Sequence, residues 1–297
     1  MSRDPLTAAS DSAVALGYGG DRTRKELEKF YSNLSPRKLS NLSRIFVPCV
    51  ERVSSRSLLH KDPWEVVREG KFQHVSMMMV FGMAEETAMI VEEEGLYKPP
   101  EDFGDLIPHN IEVDSTDHRD VIAKFIKEFY FEDNTMNSNS VESYVDYVND
   151  IFLRYPLVKS AVHHAFGSNS TIFLMNFSFK SRAPNLTTNE KRTQYQSVLH
   201  FLTKDTFDED ESVSVPLTTL WCNFIKLGDP TPLTTSEIPI IWQPVEAGSP
   251  RTLNGVPFLR DTRCLKFTGN MINTELNCPQ LLFWDRVYNQ FYTINHE

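Results

Sequence analysis

Proton transfer and metal binding need His, Cys, Asp and Glu at usable spacings, and the chain has eight histidines and four cysteines to consider. His163 and His164 are adjacent; on a helix they point roughly 100° apart and cannot share a metal as an i, i+4 pair would. Cys49, Cys222, Cys264 and Cys278 form no C-x-x-C pair, so they imply neither a zinc site nor a disulfide scaffold and read as mostly buried thiols. The acidic run from Asp205 to Glu211 lacks the central glycine of a calcium loop and reads as a solvated connection. A nucleophilic serine on a strained turn would show as G-x-S-x-G. The nearest stretch, Gly167-Ser168-Asn169-Ser170-Thr171, has Thr where the second Gly is needed. Glu85 and Glu86 follow an apolar run at its carboxyl end, where doubly wound sheets gather functional groups. The same two acids would equally suit a solvated first helical turn favoured by the helix dipole.

The 297 residues, 40% apolar and 24% charged, suffice for one large domain or two small ones around a dry core. A net charge of −10, with the thirty Lys and Arg scattered, argues against nucleic acid and anionic membrane as partners, because phosphate recognition rests on clustered cations. No stretch is apolar for the roughly 20 residues that span a bilayer, and the first 20 residues show no signal-peptide core. N-x-[ST] matches at Asn33, Asn41, Asn169, Asn176 and Asn185 would accept glycans in a secretory compartment, although Asn176 lies in an apolar run expected to be buried.

The pattern from 13 to 39 is helical, broken at Gly17-Tyr18-Gly19-Gly20 into two short helices. Asp62 caps, Pro63 opens and Gly70 closes another. Residues 75–81, with Met77-Met78-Met79 as core, predict a strand buried on both faces and ending at Gly82, with a helix starting near Ala84. Its sheet partner is expected at 170–179. Helices are predicted over 121–130, over 141–166 with a step at Pro156, and from Pro216 to a stop at Gly228. An edge strand at 263–267 and a helix opening at Pro279 complete an α/β layer architecture.

Several stretches then line up in a known order. Phe46-Val47-Pro48-Cys49-Val50-Glu51, Asp62-Pro63 through Gly70-Lys71-Phe72, the loop from Phe103 to Pro108, Trp221-Cys222-Asn223-Phe224 with Gly228-Asp229-Pro230-Thr231-Pro232, and Phe283-Trp284-Asp285 resemble landmarks of the type-B carboxylesterases. That family of cholinesterase-like α/β-hydrolases includes non-catalytic adhesion proteins. Each motif alone is weak; five in order are not. The resemblance starts after the family's nucleophile region, so it implies that 1–297 is a partial domain, the C-terminal half of the fold, with the serine elbow and oxyanion loop in an earlier half.

By the resemblance, Glu85 holds the position of the triad acid. Gln194, in Gln194-Tyr195-Gln196-Ser197-Val198-Leu199-His200-Phe201-Leu202, stands where the family has its histidine. An amide cannot take a proton near neutral pH, so a serine facing it would keep its own. His200 takes the place of a family aromatic and reads as a partly buried substitute for it, not as a relocated base. The resemblance therefore implies a carboxylesterase-like protein inactive as this chain, or alternatively a fragment of an ester hydrolase active at full length. It implies no cofactor, and a complementary N-terminal half or another protein as partner. Asn33, Asn41, Asn169 and Asn185 are the glycan candidates it leaves; the family is typically secreted, yet the chain shows no leader, so the compartment stays open.

Overall fold

The two apolar runs pair as expected. In the computed structural model β1 (Met77–Gly82) lies parallel to β2 (Ile172–Phe177), in register from Met77 opposite Ile172 to Gly82 opposite Phe177. The structure describes residues 5–40, 50–82, 102–132, 141–179, 198–203, 211–246 and 252–292, apart from 52, 53, 56, 109, 112, 114, 254, 255, 258 and 260. The expected helix near Ala84 lies outside them, as does all of the Asp205 to Glu211 run except Glu211, which opens a helix.

A short two-stranded hairpin, β3 (Thr252–Leu253) with β4 (Val256–Pro257), stands apart from the main sheet. Next to β2, also parallel, comes β5 (Thr262–Phe267), which then pairs antiparallel with β6 (Met271–Leu276). The sheet order is thus β1-β2-β5-β6. This corrects the sequence reading twice. The strand at 263–267 is interior because β6 covers its outer side, and β6 was missed because Met-Ile-Asn-Thr-Glu-Leu carries mixed polarity suited to a half-wet edge. Equally, β1 is not buried on both faces: among the described residues it is an edge strand, and Met77 to Val80 are only half-buried while Phe81 is 6% exposed.

Contacts divide the chain into two compact units, Met1–Glu65 with Pro108–Glu112 and Tyr292–Glu297, and Val66–Ile107 with Val113–Phe291. In the first, α1 (Pro5–Ala15) begins earlier than the predicted start at 13, consistent with the fixed φ of a proline at the first helical position. The break falls at Gly17, whose φ of +88° suits glycine, and α2 (Arg24–Ser32) and α3 (Pro36–Ser40) follow. Ala13 and Leu27 are buried, and the Tyr31 hydroxyl donates to the Ala9 carbonyl at 2.7 Å. The Asp62 carboxylate accepts from the Trp64 N–H at 2.8 Å, capping α4 (Pro63–Arg68) as predicted.

The second unit holds the sheet. α5 (Thr116–Phe131) is capped by Ser115 and is followed by α6 (Val141–Asn149). A π-turn (Asp150–Arg154) leads without a break into α7 (Tyr155–Gly167). Pro156 therefore does not step the chain. The Tyr155 N–H reaches back to the Asp150 carbonyl, and this widened turn makes room for a ring that lacks an N–H. α8 (Val198–Thr203) and α9 (Glu211–Leu227) follow β2. α9 starts five residues before Pro216, which sits inside it where only one helical hydrogen bond is forfeited. Phe173, Met175 and Phe177 of β2 join Leu217, Leu220, Trp242, Leu265 and Phe267 in one cluster on the α9 side of the sheet. α7 packs on the sheet as well, and α10 (Pro279–Phe291) packs on α7.

The landmark residues explain themselves locally. Gly228, at φ +72°, ends α9, with its N–H on the Phe224 carbonyl at 2.8 Å. Asn223 donates to the Pro230 carbonyl at 3.1 Å, Asp229 accepts from the Thr231 N–H at 2.8 Å, and the Thr231 hydroxyl accepts from the Trp242 N–H at 2.8 Å. The signature is thus a helix stop locked onto the next segment. Asp102 caps the 3₁₀ turn Phe103–Leu106 and pairs with Arg119, which also reaches Asp105 at 3.2 Å.

Candidate functional site

Parallel pairing in register brings the carboxyl ends of β1, β2 and β5 to one edge of the sheet, at Gly82, Phe177 and Phe267. Doubly wound folds place ligands at such an edge. Here Gly82 approaches β2 so closely that a Cβ would lie 2.7 Å from the Phe177 carbonyl oxygen, which accounts for the glycine. The Phe177 ring stacks on Phe267 with centroids 5.5 Å apart, and Phe201 of α8 meets both Phe177, at 5.8 Å, and Phe179, at 5.5 Å. Aromatic packing thus pins α8 to the carboxyl ends of β2 and β5.

Glu85 comes three residues after Gly82, and Gln194 four residues before Val198, where α8 begins. Both lie outside the described residues, as do Glu86, Cys49, Asn41 and Asn185. His200 lies on α8. What the structure supplies is the pair of anchors that flank the two segments, β1 for one and α8 for the other.

The other sequence-flagged groups lie elsewhere. Ser168, 9% exposed, donates to the His164 carbonyl at 2.7 Å and accepts from the Ser170 N–H at 3.2 Å, closing α7 before β2 begins. The turn runs from helix to strand at the amino end of β2, the reverse of a nucleophile elbow, which runs from strand to helix. His164 has Nδ1 2.8 Å from the Ser160 carbonyl and its ring 4.4 Å from Phe72. His163 is buried, and burial, helped by the positive Lys159 and by His164 and Arg68, lowers its pKa to about 4, so it is neutral at pH 7. Among the described residues no group of three or more His, Cys, Asp or Glu could hold a metal ion. Cys222, Cys264 and Cys278 are free thiols, but only Cys264 is fully buried; Cys222 is exposed on α9, because helical phase, which the spacing of cysteines does not reveal, turns it outward. Asn33 and Asn169 are exposed, and Asn176 is half-buried on β2.

One polar network escaped the sequence reading. Asp150, 1% exposed in the π-turn, accepts from the Tyr130 hydroxyl at 2.9 Å, and that hydroxyl accepts from the Trp284 indole N–H at 2.7 Å. Arg154 approaches Asp150 Oδ1 at 2.6 Å without the alignment of a hydrogen bond. Burial outweighs Arg154 and Tyr130 and lifts the Asp150 pKa to about 6. Beside it, buried Lys159 donates to the Tyr155 hydroxyl at 2.7 Å and to Asp285 at 2.9 Å, and burial lowers its pKa. Phe283, Trp284 and Asp285 thus do three jobs in succession: Phe283 stacks on Phe129 at 4.4 Å, Trp284 donates to Tyr130 and Asp285 neutralises Lys159. The Phe-Trp-Asp motif was the available signal; its partners, more than 120 positions earlier along the chain, were not.

Comparison with known proteins agrees with this architecture. The model of the carboxylesterase family matches residues 1–258. A search of curated protein sequences returned no match. Among solved structures, juvenile hormone esterase from Manduca sexta, with OTFP covalently attached, is similar at 18% identity and a TM-score of 0.71. The match covers 97% of this chain and 57% of that one, so the chain spans little more than half of that esterase. At that identity the likeness speaks for the fold, an α/β-hydrolase. With the family model matched over most of its length, the chain belongs to the carboxylesterase family.

Proposed function

We propose that this chain is a non-hydrolytic member of the carboxylesterase family, a protein that uses the α/β-hydrolase scaffold to bind and not to cleave. The feature that carries the reading is Gln194, which by the motif resemblance stands where the family has its catalytic histidine, in the segment just before α8. Serine attack on an ester needs a neighbouring base to take the hydroxyl proton, and a carboxamide has no basic lone pair to offer near neutral pH. Losing the base costs on the order of 10⁴–10⁶-fold in rate, whatever the acid at Glu85 does. This argument holds equally for any longer product that includes Gln194. The competing reading, an active ester hydrolase of which this is a part, requires a base; His200, the nearest histidine along the chain, is six positions away.

Two further assignments belong to this reading. The edge that β1 forms among the described residues is where another strand, from a complementary N-terminal half or from a partner, would continue the sheet. Asn33 and Asn169, exposed in sequons, are the favoured described positions for glycans, with Asn41 and Asn185 as further ones.

Incubation with a fluorophosphonate followed by intact-mass spectrometry tests the proposal. No adduct is expected on the chain or on any longer product of its gene. One stoichiometric adduct on a single serine would defeat it.

A further inference from the structure

A surface helix ordinarily turns a charged stripe to water, and α9 does not. Across Glu211–Leu227 its charged residues are Glu211 in the first turn and Lys226 in the last. The inward face is accounted for by Val213, Leu217 and Leu220 in the core. The outward face carries Val215, 48% exposed, and Ile225, 77% exposed, with Thr218 and Cys222 exposed between them. The spacing of three, four and three residues is that of the seam along which two helices pack side by side.

We infer that this seam is a self-association surface, on which a second copy of this chain docks its own α9 antiparallel about a two-fold axis. The end charges select both the occupant and the direction. Antiparallel pairing about the midpoint of the stripe, between Thr218 and Cys222, sets Val215 against the partner's Ile225 and brings Glu211 near the partner's Lys226. Parallel pairing would set Glu211 against its own copy. A two-fold contact uses the same patch on both chains, and a stripe with opposite charges at its two ends is complementary to itself in that one arrangement. The inference does not depend on the role of Gln194.

Sedimentation velocity on the chain from roughly 1 to 100 µM reads the equilibrium directly. A reversible monomer–dimer transition is expected. Ile225→Glu, a change at an exposed position, should weaken dimerisation by at least about tenfold. Glu211→Lys alone and Lys226→Glu alone should each weaken it several-fold, and the double variant should return it to within about twofold of the parent, since the opposite charges meet again. The charge-swap set carries the test if Ile225→Glu fails to fold. A monomer throughout the range, a dimer indifferent to these changes, or a double variant as weak as the singles would overturn the proposal. The equilibrium is read in a Val80→Pro background, so that slow, irreversible growth through the edge of β1 does not enter it.

Discussion

Asp150 shows how one carboxylate can set a pH dependence. In the unfolded chain it titrates in the ordinary aspartate range near 4, whereas in the fold burial lifts it to about 6. Between those values the folded state holds a proton that the unfolded state has released, so stability falls as pH rises through that window and the buried charge remains a burden at pH 7. Asp150→Asn keeps an acceptor for Tyr130 and removes the charge. Relative to the parent, the variant should gain on going from about pH 4 to pH 7 by up to roughly 3 kcal/mol, read as the difference between their denaturant midpoints at the two pH values. Parallel pH profiles for the two proteins would show that Asp150 does not carry the titration. None of this was visible in the sequence, because Tyr130, Asp150 and Trp284 come together only through the packing of α5, the π-turn and α10.

At the scale of elements, Gly82 sets the junction between β1 and β2. A methyl group there meets the Phe177 backbone at 2.7 Å, and backbone in a sheet cannot step aside. Gly82→Ala should therefore cost about 1–3 kcal/mol, seen as a lower thermal midpoint, with amide exchange faster in β1 than in β6. An unchanged midpoint would mean the strands are less tightly apposed than the structure has them. The pairing that creates this junction was readable in advance, since 75–81 is a nearly continuous apolar run and 170–179 is rich in β-branched and aromatic residues between polar loops, as neighbouring strands of a parallel sheet are. Helix stops were readable for a similar reason: Gly70 and Gly228 adopt positive φ, which few other residues tolerate. The start of α9 was not, because a proline reads as a boundary although it is tolerated near a helix start; nor was β6, whose residues look like loop until β5 lies beside them. Of the candidate site, the carboxyl edge and its anchors follow from the strands, whereas the roles proposed for Glu85 and Gln194 rest on family resemblance alone.

For the molecule as a whole, two features bear on the expected behaviour: the edge that β1 forms among the described residues and the proposed loss of the catalytic base at Gln194. Because the Met77 N–H bonds the Thr171 carbonyl, alternation along a parallel strand turns the N–H groups of Met78 and Val80 away from β2. The strand is apolar and half-buried, so the chain should bind a hydrophobic dye and scatter more light with time at micromolar concentration. Val80→Pro removes an outward donor and leaves the bonds to β2 in place, and should slow that growth severalfold. Growth at the parental rate would place the sticky surface elsewhere. Hydrolysis tests the proposed loss of the base: the rate of nitrophenyl butyrate cleavage is measured for the purified protein, as this chain and as any longer product of its gene, against buffer and a heat-denatured control. Rates indistinguishable from the controls across pH 6–9 are expected, as the proposal requires. Saturable hydrolysis, abolished by heat and by changing one serine to alanine, would contradict it and return Gln194 to the status of a tolerated substitution in a working esterase.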